Sequence, residues 1–288
     1  MDIKALAMGV AFALMWSSAF TSARIIVADA PAMLSLAVRF AVSGVIAVGV
    51  AKALGQSWRL TRPQWRATVI FGLCQNALYL GLFFTAMKTI EASLASIMAS
   101  SMPLLVAMIG WAVLGQRLPM RAVAGLLAGL AGVLLIMGTR LSSGADLQGV
   151  LLCVGGVIAL SVATLSVRGA TSGGNVLMIV GLQMLIGAVV LAVVGVMTEP
   201  LQVQITAPLI WAMIYTTLVP GLLATVVWFL LVNRIGAVRA ATFHFLNPVF
   251  GVGIAAIILG EQVRVMDAVG VLVVTAGILA VQTARTER

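Results

Sequence analysis

Apolar residues in this chain do not alternate with polar ones as in a soluble helix or strand; they run on. Ten such runs can be read, approximately 4–24, 32–54, 65–87, 91–114, 120–139, 148–168, 175–198, 207–231, 238–259 and 266–284. A run of about 20 apolar residues wound as a helix crosses the ~30 Å hydrocarbon layer of a bilayer. The pattern therefore predicts ten membrane helices. Gly and Pro inside the runs do not argue against helix, because bundle neighbours satisfy the backbone groups they free. The ~10-residue apolar/polar alternation of an outer-membrane barrel is missing. The expected fold is an all-α polytopic membrane protein with the lipid bilayer as its solvent.

Composition agrees. Of 288 residues, 62% are hydrophobic and 9% charged, with a mean hydropathy of +1.18, which leaves too little polar surface for a soluble chain of this length. The net charge of +9 is spread unevenly. With the amino terminus placed in the cytoplasm, Lys4, Lys52, Arg59, Arg62, Arg66, Arg117, Arg121, Arg168, Arg234, Arg239, Arg285 and Arg288 fall inside. Only Arg24, Lys88, Arg140 and Arg264 fall outside, with Asp29, Glu91, Asp146, Glu199, Glu261 and Asp267. The positive-inside rule then predicts both termini in the cytoplasm of a bacterial inner membrane. The charge reads as a topology signal, and no basic stripe with stacking aromatics suggests nucleic acid. Cys74 and Cys153 fall within spans and read as small core residues. The first run starts near residue 4 and has no small-residue cleavage site, so it is expected to be retained as a span. Trp58, Trp65 and Trp211 sit near span ends and read as interface anchors.

The loops are short, and the organising feature is an internal repeat. At an offset of 145 residues, segment 86–137 overlays 231–282 without a gap and with 12 identities. These include Ile90/Ile235, Ala92/Ala237, Ala95/Ala240, Pro103/Pro248, Leu114/Leu259, Gly115/Gly260, Gly125/Gly270 and Gly132/Gly277. A mid-span Pro, a Leu-Gly ending and two spaced glycines thus recur as one unit. Five helices per half mean that the second half enters from the opposite side. The chain is expected to divide into repeats at 1–140 and 141–288, inverted about a central cavity. This is the architecture of alternating access in secondary transporters. The small-residue run from Ala124 to Gly132 predicts close helix packing within a monomer.

At these residues the chain resembles the drug/metabolite transporter superfamily, in its ten-helix EamA-type branch. Ala13-Leu14-Met15-Trp16-Ser17-Ser18-Ala19-Phe20 is similar to that family's opening stretch, and Arg39-Phe40 to its Arg-Phe pair. The run Ala92 to Pro103 with Leu114-Gly115-Gln116-Arg117-Leu118 is similar to its fourth-helix signature, repeated as Asn247-Pro248 and Leu259-Gly260-Glu261. Gln116 departs from the usual Glu, which Glu261 keeps. The small multidrug branch resembles half of this chain, but it relies on a first-helix Glu where this sequence has Trp16-Ser17. Among ten-helix members the chain most resembles the bacterial amino-acid exporters of the YddG type. The resemblance implies a transporter of small molecules, with no catalytic residue, metal or cofactor.

The residues themselves suggest where a solute would bind. Pro103 and Pro248 lack an N–H, so the carbonyls at Ala99 and His244 lose their helical donors. Paired breaks of this kind mark transporter sites or hinges; a kink that only shapes packing is equally open. Polar residues cluster at similar depth: Ser93, Ser96 and Ser100 on one face of the fourth helix, His244 and Asn247 on the ninth, and Gln75, Asn76 and Tyr79 on the third. Ser161 and Thr164 pair on the sixth, and the eighth carries Thr216, Thr217 and Pro220-Gly221. Serine and threonine in membrane helices often bond their own backbone, but Gln75, Asn76 and Asn247 are costly against lipid and should face inward. His244, the one histidine, suits a proton shuttle, a carboxylate contact or a helix–helix bond. Arg39 starts about two turns from the outer end; outward snorkelling, a helix-end carbonyl and a solute carboxylate are all open to it. Trp16, Phe20, Tyr79, Trp228 and Phe243 could form an aromatic wall. An intramembrane hydrolase is disfavoured, because His244 has no acidic partner in a span. A channel is disfavoured because no ring of charges or carbonyls appears.

Overall fold

The computed structural model describes residues 3–112, 115, 119–166, 175–235, 240 and 242–283. Leu114, Gln116, Arg117, Leu118, Arg168, Ala237, Arg239, Arg285 and Arg288, which entered the charge and repeat readings, lie outside the described residues.

Every long apolar run becomes helix. The helices are α1 (Ile3–Asp29), α2 (Ala32–Ala53), α3 (Arg62–Ala86), α4 (Ala92–Ala112), α5 (Met120–Ser142), α6 (Leu147–Ser166), α7 (Val176–Thr198) and α8 (Ala207–Ile235). A 3-10 turn at Thr242–Leu246 leads into α9 (Asn247–Leu259), and α10 (Val265–Thr283) follows. The first eight are long and apolar enough to cross a membrane, and the last two are shorter apolar helices. Local chemistry sets their ends. Thr61 and Gln64 form a reciprocal capping box before α3, and the Thr206 hydroxyl accepts from Leu209 N–H at the start of α8. Gly115 and Gly260, one repeat apart, both adopt a left-handed φ, +64° and +67°. Only glycine adopts this without strain, which explains the recurring Leu-Gly ending.

The surface is the inverse of a soluble protein's. Val38, Val45, Leu134, Val196 and Ile257 face outward, while Ser17, Ser43, Gln75, Asn76, Gln183 and Asn247 are buried. Lipid takes the apolar faces, and polar groups stay inside where neighbouring helices can pair with them.

Helix packing repeats when each helix is exchanged for the one five later. The contacts of α1 with α8 and α9 correspond to those of α6 with α3 and α4. The contact of α2 with α8 corresponds to that of α7 with α3. The pairs α2–α7, α4–α9 and α5–α10 map onto themselves. This is the signature of a two-fold axis between the halves. Glycine makes the self-paired contacts close. A Cβ on Gly277 of α10 would fall 2.6 Å from the Gly125 carbonyl and the Gly129 nitrogen of α5. A Cβ on Gly181 of α7 would fall 3.0 Å from the Gly44 carbonyl of α2.

The contacts also sort the loops into two ends. At one end, Glu199 accepts from Met33 and Leu34 N–H and pairs with Lys88. Glu261 accepts from Ala92 and Ser93 N–H, and Thr206 donates to Asp29. Arg140 pairs with Glu91 and grips Asp267 through Nε (3.0 Å) and Nη2 (2.5 Å). The Thr89 hydroxyl and the Gly149 N–H both donate to Asp146. This acidic end holds the six carboxylates that the charge pattern grouped together. At the other end, Asn175 accepts from Ser57 N–H and Gln56 from Met178 N–H, tying the α2–α3 loop to the start of α7.

Two irregularities were not legible in the hydropathy. Within α3 and α8, Gly72–Tyr79 and Thr217–Leu223 wind as π-helix. They begin 145 residues apart, the offset of the sequence repeat, although their sequences differ. Pro220 explains the second, since it lacks the N–H that continues an α-helix. The first contains no proline.

A candidate solute cavity between the two halves

The π-segments border a narrow cavity between the helices of the two halves. Its aromatic lining comes from Phe12, Trp16 and Phe20 of α1, Phe40 of α2, Phe71, Tyr79, Phe83 and Phe84 of α3, and Trp228 of α8. Its polar lining is Arg39, Gln75, Asn76, Tyr79, Thr164, Thr225 and His244. All described carboxylates sit at the acidic end instead.

The rings are set edge to face or tilted, with one exception. His244 meets the edges of Phe12 (5.2 Å), Trp16 (6.0 Å) and Trp228 (5.2 Å). Trp16 and Tyr79 are parallel within 3°, with centroids 6.4 Å apart. Between them they present a flat apolar face with polar edges.

Several polar lining groups are held from behind. Asn76 Nδ2 donates to the Gln183 carbonyl of α7 at 3.0 Å. Asn247 lies behind His244: its Nδ2 is 2.9 Å from His244 Nδ1, and its Oδ1 accepts from Ser17 at 3.3 Å. Asn247 thus bridges Ser17 of α1 and the His244 ring, with the donor and acceptor roles of the second bond following the imidazole tautomer. Thr164 and Thr225 donate to Leu160 and Gly221 carbonyls one turn earlier, leaving hydroxyl lone pairs for a solute.

Arg39 departs from the snorkelling alternative. Its side chain is 3% exposed and lies inside, with Cζ 5.0 Å from the Phe40 ring centroid. It fits there because Gly221 in the π-segment of α8 has no side chain: a Cβ would come within 3.2 Å of Nε.

Of the residues singled out in the sequence, Trp16, Phe20, Arg39, Gln75, Asn76, Tyr79, Thr164, Pro220, Trp228 and His244 meet at this cavity. The rest do not line it. Ser100, Ser161 and Thr217 donate to the Ile97, Val157 and Met213 carbonyls of their own helices. Ser96 donates to the Asn247 carbonyl at 2.9 Å, a bond between α4 and α9. Phe243 is packed against Gly9, and Asn247 supports His244. Pro103 follows a break in α4 at Ser100–Ser101, and Pro248 follows the 3-10 turn before α9, so both disrupt a helix without touching the cavity. The lining residues not predicted are chiefly Phe12, Phe40, Phe71 and Thr225. Nothing in an apolar run distinguishes their face from the lipid face.

The model of a family described as EamA-like transporters matches residues 3–138 and again 147–283. Similar proteins include the uncharacterized transporter YvbV of Bacillus subtilis (strain 168), 27% identical over 94% of this chain and 88% of that one. Another is protein PecM of Dickeya dadantii (strain 3937), 24% identical over 91% and 86%. A solved crystal structure of a protein shares the fold, with a TM-score of 0.71 over 97% of this chain and 96% of that chain, at 22% identity.

Proposed function

Because the chain belongs to the EamA-like transporter family of the drug/metabolite transporter superfamily, we propose that it exports amino acids by alternating access. The central cavity carries this reading: an aromatic wall faces neutral polar groups, with one buried cation and no carboxylate. An amino acid offers a hydrophobic side chain to the rings and two opposite charges to dipoles and hydrogen-bonding groups. The halves 1–140 and 141–288 would rock about the two-fold axis, with the helix breaks before Pro103 and Pro248 as hinges. The acidic end would face outward and the termini the cytoplasm of a bacterial inner membrane. One monomer contains the whole cavity.

No Asp or Glu lines the site, so a carboxylate proton relay has no candidate. His244 bonds Asn247 and is ringed by Phe12, Trp16 and Trp228. We therefore read the protein as a facilitator driven by the solute gradient. Proteoliposomes loaded with labelled amino acids, with and without an imposed pH gradient, test this. Exchange of neutral or aromatic amino acids should proceed without the gradient. Absence of flux for every amino acid would overturn the substrate, and strict dependence on the gradient would overturn the facilitator. The alternative, export of nucleosides or cationic drugs, predicts flux of those compounds in the same vesicles.

A further inference from the structure

Arg39 raises a question that its fold position does not answer. A guanidinium carries five N–H donors and stays charged. This one sits about 10 Å along α2 from the helix start, by the α-helical rise per residue, and is buried. Nε and Nη1 have no hydrogen-bond partner among the described residues. A buried cation normally lies against a carboxylate, and this protein shows that arrangement elsewhere: Arg140 is equally buried and bonds Asp267 and Glu91. Among the described residues no carboxylate pairs with Arg39. Of the eight acids, six are at the acidic end, and Asp2 and Glu287 are near the termini. What stands beside Arg39 is the Phe40 ring, the small Gly221 and the cavity.

Burying an unpaired cation is costly unless an anion arrives to pair with it. We propose that Arg39 is the anion-binding pole of the cavity and that the protein selects solutes bearing a free carboxylate. This rests on the reading of the cavity as the transport site. One guanidinium with no second cation in the lining matches a single negative charge better than a phosphate dianion. The carboxylate enters beside Gly221, and the apolar part of the solute lies along Trp16 and Tyr79. The pair is formed only when solute is present, so it lowers the cost of burying Arg39 in the loaded state alone.

The test is binding to the purified full-length protein, read as a shift in melting temperature and as tryptophan fluorescence, since Trp16 and Trp228 line the cavity. The probes are 3-phenylpropionate, its neutral counterpart 3-phenylpropanol, phenethylamine and phenyl phosphate. The acid should bind at least tenfold more tightly than the alcohol and the amine, and more tightly than the phosphate. Arg39→Gln should bring the acid down to the level of the alcohol, while Arg39→Lys should retain part of the preference. Equal binding of acid and alcohol by the wild type overturns the proposal, as does failure of both to bind. So does an acid preference that survives in Arg39→Gln, or a preference for phosphate. If Arg39→Gln does not fold, the wild-type comparison and Arg39→Lys decide. Binding of the acid through Arg39 with no amino-acid flux in proteoliposomes would remove the amino-acid reading and leave the anchor standing.

Discussion

Gly72→Ala tests how the π-segment of α3 holds the cavity. A Cβ at position 72 would lie 2.8 Å from the Gln183 carbonyl oxygen of α7 and 3.1 Å from Ile186 Cβ and Cγ2. Ordinary contact begins near 3.4 Å, so α3 and α7 must separate by about 0.6 Å on van der Waals grounds. The same Gln183 carbonyl accepts from Asn76 Nδ2 at 3.0 Å. A separation of that size stretches this bond to about 3.6 Å, beyond hydrogen-bonding range. Overpacking costs about 1–3 kcal/mol, and a buried amide left without its acceptor costs about 1–3 kcal/mol. Together they predict a loss of roughly 2–6 kcal/mol, or a fall in melting temperature on the order of 5–20 °C. Gly138→Ala is the control, because nothing lies within 4 Å of its Cβ position in α5; it should be neutral or slightly stabilising. Since Asn76 lines the cavity, Gly72→Ala should also weaken solute binding, and adding Asn76→Ala should then change affinity little further. Thermal unfolding in detergent with a binding titration reads both effects. If Gly72→Ala melts with Gly138→Ala and binds as the wild type, the role assigned to the π-segment is wrong.

Three further outcomes follow from the acidic end and the topology. Arg140→Gln strips the buried Asp267 of its cation and should cost about 3–5 kcal/mol in unfolding experiments; the double variant with Asp267→Asn should recover part of that loss. Asp146 is held below the usual carboxylate range by the Gly149 N–H and the Thr89 hydroxyl. A depressed carboxylate stabilises the fold above its unfolded value and stops doing so as pH falls through its folded one. Asp146→Asn should therefore flatten the acid limb of stability against pH, measured as melting temperature between pH 2 and 6, and an unchanged limb would refute it. In whole cells, Val203→Cys should react with a membrane-impermeant maleimide and Ser57→Cys should not, because the two residues are exposed at opposite ends; reversed labelling would reverse the orientation.

The sequence by itself determined the helices and their approximate ends. Lipid leaves a crossing segment no option but to satisfy its backbone internally, so apolar length is enough. The 145-residue offset and the separation of acids from bases were equally readable, and the acidic end gathers the carboxylates that the charge pattern grouped. Side-chain costs also carried over: Gln75, Asn76 and Asn247 are inside because amides are expensive against lipid. What only the tertiary structure decided is azimuth and partnership. In a membrane helix the cavity face and the lipid face are both apolar, so periodicity could not tell Phe12 or Phe40 from an outward Leu14 or Val38. Hydroxyls can bond their own helix, so Ser100, Ser161 and Thr217 gave no sign of turning away from the cavity. The π-segment at Gly72–Tyr79 has no proline to announce it. Arg39 could have reached outward by length alone; Gly221 on a helix 182 positions later makes the space that keeps it in.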